Sequence, residues 1–181
     1  MKVEYVQASS PFELEQILKL QQANLPFNLS KHIQQKEGFL TVEHTMDILL
    51  KLNQEFPHTL AKSNNKVVGY ALSMDPKFKN EIPILKPLFE KIEAMSVVQK
   101  RYIIMGQICI DSPFRKIGIF RGLYQKMKEF TSDRYDYILT EVDARNERSL
   151  NAHLAVGFEI IKRYNTKEKT WNVIALKTNN L

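Results

Sequence analysis

Cysteine is nearly absent from this sequence, since Cys109 is the single one in 181 residues. An internal disulfide bond is therefore excluded, and the apolar neighbours of Cys109 favour a small buried side chain over a nucleophile. Long apolar segments are missing too: no stretch approaches the roughly 18 apolar residues of a membrane span, and no signal-peptide core follows Lys2 and Glu4. We therefore expect a cytoplasmic protein without a membrane partner.

Glycine and proline are also scarce, with 6 and 7 residues, and no stretch rich in either divides the chain. Low-complexity tracts and repeats of fixed period are absent as well. Hydrophobic residues make up 44% of the chain and charged residues 25%, the composition of an ordinary folded protein. The length then predicts a single domain that spans residues 1–181.

Charge of one sign is not concentrated anywhere. The 26 Lys and Arg residues exceed the 20 Asp and Glu residues by 6, but they are spread along the chain without a basic run. This distribution makes nucleic-acid binding the least favoured function, and the positive excess suits an anionic small molecule equally well. We expect no nucleic-acid partner.

Helical and strand periodicities alternate along the chain. Strand patterns occur at residues 3–7, 59–62, 67–73, 102–110, 135–144, 158–164 and 170–177. Helical patterns begin at Pro11, after a cap at Thr41, at residues 80–95, inside the turn at residues 115–122, and at residues 146–156. The strand at residues 102–110 is apolar almost throughout and is therefore central. The fold class is α/β: a mixed, mostly antiparallel central sheet flanked by helices, with an extra helix inserted before the central strand.

The turn after the central strand is basic and contains glycine. Free N–H groups at a helix start carry partial positive charge, Gly118 lets an oxyanion approach the backbone, and Arg115 and Lys116 add full charges. The turn predicts a pyrophosphate site, with an ordinary solvated turn as the alternative. The apolar positions of the helix that follows are Ile117, Phe120, Leu123, Met127 and Phe130.

Two motifs resemble those of the GNAT superfamily of N-acetyltransferases. Residues 111–123 are similar to the family's Arg/Gln-x-x-Gly-x-Gly/Ala pyrophosphate loop. Residues 141–158 are similar to its strand-Asn-x-x-Ala/Ser-x-x-x-Tyr-x-x-x-Gly-Phe pattern, in register at Asn146, Ser149, Gly157 and Phe158. Both motifs occur in order, about 30 residues apart, and the order of helices and strands agrees along the chain.

Two residues depart from these motifs. Phe120 stands at the second glycine of the phosphate loop, and His153 stands at the tyrosine position. Because Phe120 is in phase with Leu123 and Met127, we expect it to pack under the helix, with Gly122 as the small residue next to the sheet.

The resemblance implies acetyl-coenzyme A as the donor and no metal. The pantetheine arm would lie between the strand at residues 108–110 and the strand at residues 135–144, where a backbone N–H can polarise the thioester carbonyl. The implied cofactor-binding residues are Ile108, Cys109, Ile110, Arg115, Lys116, Ile117, Gly118, Ile119, Phe120, Asn146, Ser149 and His153. For Asn146, a plain helix N-cap is the alternative.

An amine acceptor must lose a proton before it attacks, because its pKa is near 10.4 for a lysine and about 7.7–8 for an α-amino group. Glu141 lies near the end of its strand, where partial desolvation would raise its pKa, so Glu141 is the candidate general base. The alternative for Glu141 is an ion pair with a neighbouring Lys or Arg. By the resemblance, His153 is the proton donor to the departing thiolate; the alternative is a hydrogen-bonded histidine beside the core.

The predicted function is an acetyl-coenzyme A dependent N-acetyltransferase that acts on a primary amine of a small molecule, a peptide or a protein N-terminus, as a monomer or a homodimer. The alternative is a non-catalytic coenzyme A sensor, in which Phe120 and His153 mark a loss of catalysis. We expect the acceptor side at residues 24–27 and 165–169, with Phe39 or His44 as further candidates.

Overall fold

Seven strands form one sheet in this protein, whose computed structural model describes residues 2–37, 39–40, 42–95 and 101–179. The strands are β1 (Glu4–Gln7), β2 (Thr59–Ser63), β3 (Lys66–Met74), β4 (Tyr102–Ile110), β5 (Tyr137–Asp143), β6 (Glu159–Asn165) and β7 (Thr170–Lys177). Their order across the sheet is β1-β2-β3-β4-β5-β7-β6. β4 pairs in parallel with β5, whereas β2 pairs antiparallel with β1 and β3, and β7 pairs antiparallel with β5 and β6. The predicted mixed, mostly antiparallel sheet is confirmed.

Helices flank this sheet, as predicted. Within the described residues they are α1 (Pro11–Ala23), α2 (Lys31–Glu37), α3 (Met46–Glu55), α4 (Lys86–Glu93), α5 (Ile119–Thr131) and α6 (Glu147–Leu154). The N-cap of α3 is Thr45, and the cap predicted at Thr41 lies outside the described residues.

The extra helix before β4 is present as α4, but it is shorter than the predicted span of residues 80–95. Pro83–Leu85 forms a separate 3₁₀ turn, and α4 begins at Lys86 with Pro87 in its first turn. Proline is tolerated in a first turn and not in a helix interior, so Pro87 fixes where α4 begins. The apolar face of α4 is buried, as expected, at Leu88, Phe89 and Ile92.

The chain forms two compact units, Met1–Met74 with Gly106–Met127, and Asp75–Met105 with Lys128–Leu181. The prediction of a single domain over residues 1–181 stays a prediction. Among the described residues, no helix combines the length and the apolar character that a bilayer span needs.

In the first unit, α1 and α3 share an apolar cluster with β2 and β3. A capping box starts α1: the Ser10 Oγ accepts from the Glu13 N–H at 3.4 Å, and the Glu13 carboxylate accepts from the Ser10 N–H at 3.2 Å. The buried cluster includes Leu14, Ile17, Leu49, Leu60 and Tyr70.

In the second unit, β7 lies between β5 and β6. Its register places Val173 opposite Glu141 of β5 and places Trp171 opposite Tyr164 of β6. Because side chains opposite each other on paired strands lie on the same face, Glu141, Tyr164 and the two β7 residues share one face of this sheet.

Two buried histidines make the first unit sensitive to acid. His44 is 5% exposed and His58 is fully buried, and burial lowers the pKa of His44 to about 4 and that of His58 to about 3. The pKa of a histidine in an unfolded chain is near 6.5. Below that pH the unfolded chain therefore binds protons that the folded chain does not, and stability falls as the pH falls.

We predict that the free energy of unfolding decreases by about 1 kcal/mol for each buried histidine between about pH 7 and about pH 5.5, as measured by urea denaturation. The decrease should be smaller in His58→Gln, because the residue that titrates on unfolding is gone. His32 is exposed, so His32→Gln is the matched control and should keep the wild-type pH dependence. The same pH dependence in all three proteins would contradict this account.

Candidate active site

The turn before α5 has the backbone shape of an anion site. Lys116 has φ 64° and Gly118 has φ 91°, both in the left-handed region. A Cβ added to Gly118 would meet nothing within 4 Å, so conformation and not space requires glycine there. Turns that contain left-handed residues can direct neighbouring N–H groups toward one anion, and the start of a 13-residue helix adds partial positive charge. The turn therefore fits a phosphate group.

Arg115 holds this turn in place. Its Nε donates to the carbonyl of Ile110 at 3.0 Å, and its Nη2 donates to the Oδ1 of Asn24 at 2.7 Å. Asn24 is also the C-cap of α1 and donates from Nδ2 to the Leu20 carbonyl at 2.8 Å. The guanidinium therefore links the turn to the end of β4 and to the end of α1, a role that the phosphate-loop resemblance did not predict.

The buried stripe of α5 differs from the predicted one. Ile119 is buried, whereas Ile117 precedes the helix and is 54% exposed, and Phe120 is half-buried. Leu123 and Met127 are buried as predicted, whereas Phe120 is only partly covered: its ring meets the buried Tyr124 edge-on, with 5.1 Å between ring centroids. The buried residues of the stripe are Ile119, Leu123, Tyr124 and Met127.

Gly122 makes room for a side chain of the sheet. A Cβ added to Gly122 would overlap the Cζ and the hydroxyl oxygen of Tyr5 on β1, so the tip of this ring lies against the glycine. Gly122 is therefore the small residue next to the sheet, as expected from the sequence. Its N–H closes the first turn of α5 on the Gly118 carbonyl at 3.0 Å. Ile119 and Leu123 lie in a buried cluster against which Tyr5 also packs.

Cys109 is a core residue, as the sequence indicated. The side chain is 6% exposed, and burial raises the pKa of the thiol to about 12, so the thiolate is not formed at neutral pH. Its neighbours Ile108 and Ile110 are half-buried and pack against a cluster that includes Ile119 and Leu123. That residues 108–110 contact a cofactor stays a prediction.

Glu141 of β5 is bonded to Tyr164 of β6. The Tyr164 hydroxyl donates to the Glu141 Oε2 at 2.6 Å, and Tyr164 is 8% exposed. Burial raises the pKa of Glu141, and the hydrogen bond from Tyr164 opposes part of that rise. The result is a half-buried carboxylate that is more basic than usual and is held by a neutral phenol.

The neighbouring carboxylate, Asp143, has the ion pair that was the alternative for Glu141. Arg145 Nη2 lies 2.9 Å from the Asp143 Oδ2, and Lys169 Nζ lies 4.0 Å from the same atom. The hydrogen bond from Arg145 is the main cause that lowers the pKa of Asp143. Two carboxylates on one strand therefore differ in kind: Asp143 is paired with cations, and Glu141 is bonded to a hydroxyl.

His153 is buried in α6. Its Nδ1 lies 2.7 Å from the Ser149 carbonyl, to which an Nδ1–H donates, and its ring meets Phe158 edge-on at 5.2 Å. Burial lowers the pKa of His153 to about 4, so the ring is neutral at pH 7. The imidazolium that was expected to donate a proton is the form that this environment disfavours. These contacts favour the alternative, a hydrogen-bonded histidine beside the core.

Asn146 and Ser149 form the start of α6. The Asn146 Oδ1 accepts from the Ser149 N–H at 3.0 Å, so Asn146 is the N-cap of the helix. The Ser149 Oγ lies 3.5 Å from the His153 Nδ1, which brings the three predicted residues together along one helix. Their contact with a cofactor stays a prediction.

Tyr164 is the site residue that sequence reasoning missed. The strand pattern at residues 158–164 included it, but nothing local marks its hydroxyl as a partner of Glu141, 23 residues away. Only the position of β7 between β5 and β6 brings the two side chains to one face. In the part of the chain that the structure describes, no three His, Cys, Asp or Glu side chains are grouped to hold a metal ion.

Residues 15–158 match the model of the acetyltransferase (GNAT) family. No curated protein sequence matches the chain significantly.

Three solved structures with the same fold are those of an N-acetyltransferase and of two proteins whose structures contain coenzyme A or acetyl-coenzyme A. Arylalkylamine N-acetyltransferase 2 from Aedes aegypti has a TM-score of 0.69 and 18% identity, over 99% of this chain and 100% of that chain. A chain of the NatC complex bound to Gag peptide and coenzyme A has a TM-score of 0.67 and 19% identity, over 98% and 99%. The protein yncA from Salmonella typhimurium, solved with acetyl-coenzyme A, has a TM-score of 0.66 and 12% identity, over 100% and 96%. At these identities the similarity shows the fold.

Proposed function

The chain belongs to the acetyltransferase (GNAT) family, and we propose that it transfers the acetyl group of acetyl-coenzyme A to a primary amine of a small molecule, a peptide or a protein N-terminus. The family supports the acetyl transfer. Structures of similar fold support the choice of donor and acceptor, since one was solved with acetyl-coenzyme A, one with coenzyme A and a peptide, and one is named for an arylalkylamine.

The turn at residues 115–120 fits the pyrophosphate of coenzyme A. Its two left-handed residues and the start of α5 supply N–H groups and positive charge, and the exposed Lys116 adds an ammonium. In the proposed site Arg115 keeps the turn in its conformation, through its hydrogen bonds to Ile110 and Asn24, so that the N–H groups of the turn can bind the pyrophosphate. When bound, acetyl-coenzyme A supplies the acetyl group as a thioester.

Glu141 is the proposed general base, and its hydrogen bond with Tyr164 is the observation that carries the proposal. A primary amine is mostly protonated at neutral pH. Glu141 removes a proton from the ammonium nitrogen, and the free lone pair can then bond to the acetyl carbonyl carbon as the bond from that carbon to the thioester sulfur breaks. Water protonates the departing thiolate, and the second proton of the amine passes to the solvent. Burial makes the carboxylate a stronger base, and the Tyr164 hydroxyl keeps it ionised and oriented.

We assign no proton transfer to His153. A ring with a pKa of about 4 is almost entirely neutral at pH 7, and its Nδ1 is engaged with the Ser149 carbonyl. The His153 ring instead packs edge-on against Phe158, and this contact joins α6 to the segment that follows it.

The second candidate function is a coenzyme A sensor without catalysis. Two observations favour it: Phe120 occupies the place of the second loop glycine, and the residue at the family's tyrosine position is a neutral, buried histidine. A sensor would bind acetyl-coenzyme A and release no thiol with any amine. An enzyme would release one thiol for each acetylated amine.

We predict that Glu141→Gln lowers kcat by about 10²–10⁴-fold on an accepted amine, because the proton acceptor is lost while the shape is kept. The assay follows thiol release from acetyl-coenzyme A with aliphatic amines, arylalkylamines and short peptides. Glu159→Gln is the matched control: Glu159 is exposed on β6 and should keep the wild-type rate. A Glu141→Gln protein as active as this control would refute Glu141 as the base.

The hydrogen bond from Tyr164 predicts a shift in the pH profile. Tyr164→Phe removes the donor that lowers the pKa of Glu141, so the pKa of this carboxyl should rise further. The base is then protonated at a higher pH, and the acid limb of kcat should move upward. Ionisation of the amine is common to both proteins and cancels in the comparison. A limb that stays in place, or moves downward, would contradict the proposed pair.

The proposed turn predicts how the cofactor stabilises the protein. Gly118→Ala forces a side chain into a left-handed conformation, at a cost of about 1–3 kcal/mol, and reorients the N–H groups of the turn. We therefore expect most of the rise in melting temperature caused by acetyl-coenzyme A to be lost. Gly157 also has a positive φ of 112°, so Gly157→Ala carries similar strain outside the turn and should keep the rise. An equal rise in both variants would remove residues 115–120 from the proposed site.

A further inference from the structure

The inserted helix α4 reaches the Glu141 and Tyr164 pair. The Nζ of Lys91 lies over the ring of Tyr164, 5.9 Å from the ring centroid. An ammonium at that distance from a ring face is attracted by the negative π-electron surface, and the attraction is stronger where water is excluded. Tyr164 is 8% exposed and Lys91 is half-buried, so the contact is partly shielded.

Helix α4 is packed against the protein through its apolar face, and this packing fixes the position of the Lys91 backbone. Leu88, Phe89 and Ile92 are buried, which fixes the rotation of the helix. One residue before Ile92, Lys91 lies at the border of the buried face. Glu93, the last residue of α4, also forms a half-exposed ion pair with Lys79, which adds little to this anchoring.

We propose that Lys91 is a positioning residue: its ammonium holds the Tyr164 ring so that the hydroxyl remains bonded to Glu141. This inference rests on the proposed function for its effect on rate, but the geometry that it concerns is independent of any reaction. It gives the inserted helix a role at the site, since α4 supplies the group that covers the ring. The role is mechanical, through Tyr164, and Lys91 transfers no proton.

Other charged groups lie near Glu141 and Tyr164, and their effects must be distinguished from that of Lys91. On β5, Asp143 is two residues from Glu141 and is balanced by Arg145 and by Lys169. Strand β7 presents Val173 opposite Glu141 and Trp171 opposite Tyr164, and the Lys169 Nζ lies 5.3 Å from the centroid of the Trp171 ring. On β6, the exposed Lys162 is two residues from Tyr164.

Three variants isolate the contact. Lys91→Met removes the charge and keeps most of the stem, and Lys91→Arg restores a cation that stacks on aromatic rings. Lys86→Met is the matched control, because Lys86 is an exposed lysine on the same helix.

The first readout needs no activity. In protein labelled with ¹³C at the tyrosine ζ carbon, the Tyr164 signal, assigned by its absence in Tyr164→Phe, reports the hydrogen bond of the hydroxyl. Glu141→Gln provides the reference in which the carboxylate acceptor is gone. We expect Lys91→Met to move the Tyr164 signal toward this reference, and Lys91→Arg and Lys86→Met to leave it at the wild-type position. An unmoved signal in Lys91→Met would overturn the inference, whether or not the protein acetylates amines.

The second readout is the rate on an accepted amine. Lys91→Met should lower kcat by about 2- to 5-fold, the range for a partly exposed cation–π contact, and Lys91→Arg should restore it. In a Tyr164→Phe background, Lys91→Met should have no further effect, because there is no hydroxyl left to position. Additive losses in the double variant would overturn the inference. If wild-type protein acetylates no amine, the proposed function fails while the carbon signal still decides the role of Lys91.

Discussion

The hydrogen bond from Tyr164 to Glu141 depends on the register of three antiparallel strands. Adjacent strands lie about 4.8 Å apart, so β5 and β6 are separated by about 10 Å with β7 between them. A side chain as long as tyrosine is needed to cross that gap, and the pairing of Val173 with Glu141 and of Trp171 with Tyr164 brings it to the correct face. A slip of one residue in either pairing would turn one partner to the opposite face and break the bond.

Burial and bonding partners together set the pKa shifts of Glu141, Asp143 and His153 in the second unit. Burial raises the pKa of Glu141, whose bonding partner is a neutral hydroxyl, which is the direction that the proposed role as a base requires. Asp143 lies two residues away and is bonded to Arg145, which keeps it ionised and charge-balanced. Burial also lowers the pKa of His153 to about 4, so the neutral ring predominates at pH 7. The three groups thus differ: the proposed base is bonded to a hydroxyl, Asp143 is in an ion pair, and His153 is a packed neutral ring.

Sequence patterns predicted the parts of this account that depend on nearby residues. The strand that carries Glu141, the cap at Asn146 and the glycine turn at Gly118 follow from periodicity and from local backbone chemistry. The partner of Glu141 could not be predicted, because it depends on strand order. The stripe of α5 was predicted in part: Leu123 and Met127 are buried as expected, whereas Ile117 precedes the helix and Ile119 and Tyr124 are buried in addition. The burial of His153 depends on packing around α6 that no local pattern encodes.

The most direct test of the central claim is the titration of Glu141 itself. In protein labelled with ¹³C at the glutamate carboxyl carbon, with the signal assigned by its absence in Glu141→Gln, the titration midpoint gives the pKa without any substrate. The account predicts a midpoint above the ordinary glutamate value of about 4.3, because burial outweighs the hydrogen bond from Tyr164. A midpoint at or below that value would show a carboxylate stabilised as an anion and would contradict its role as the base.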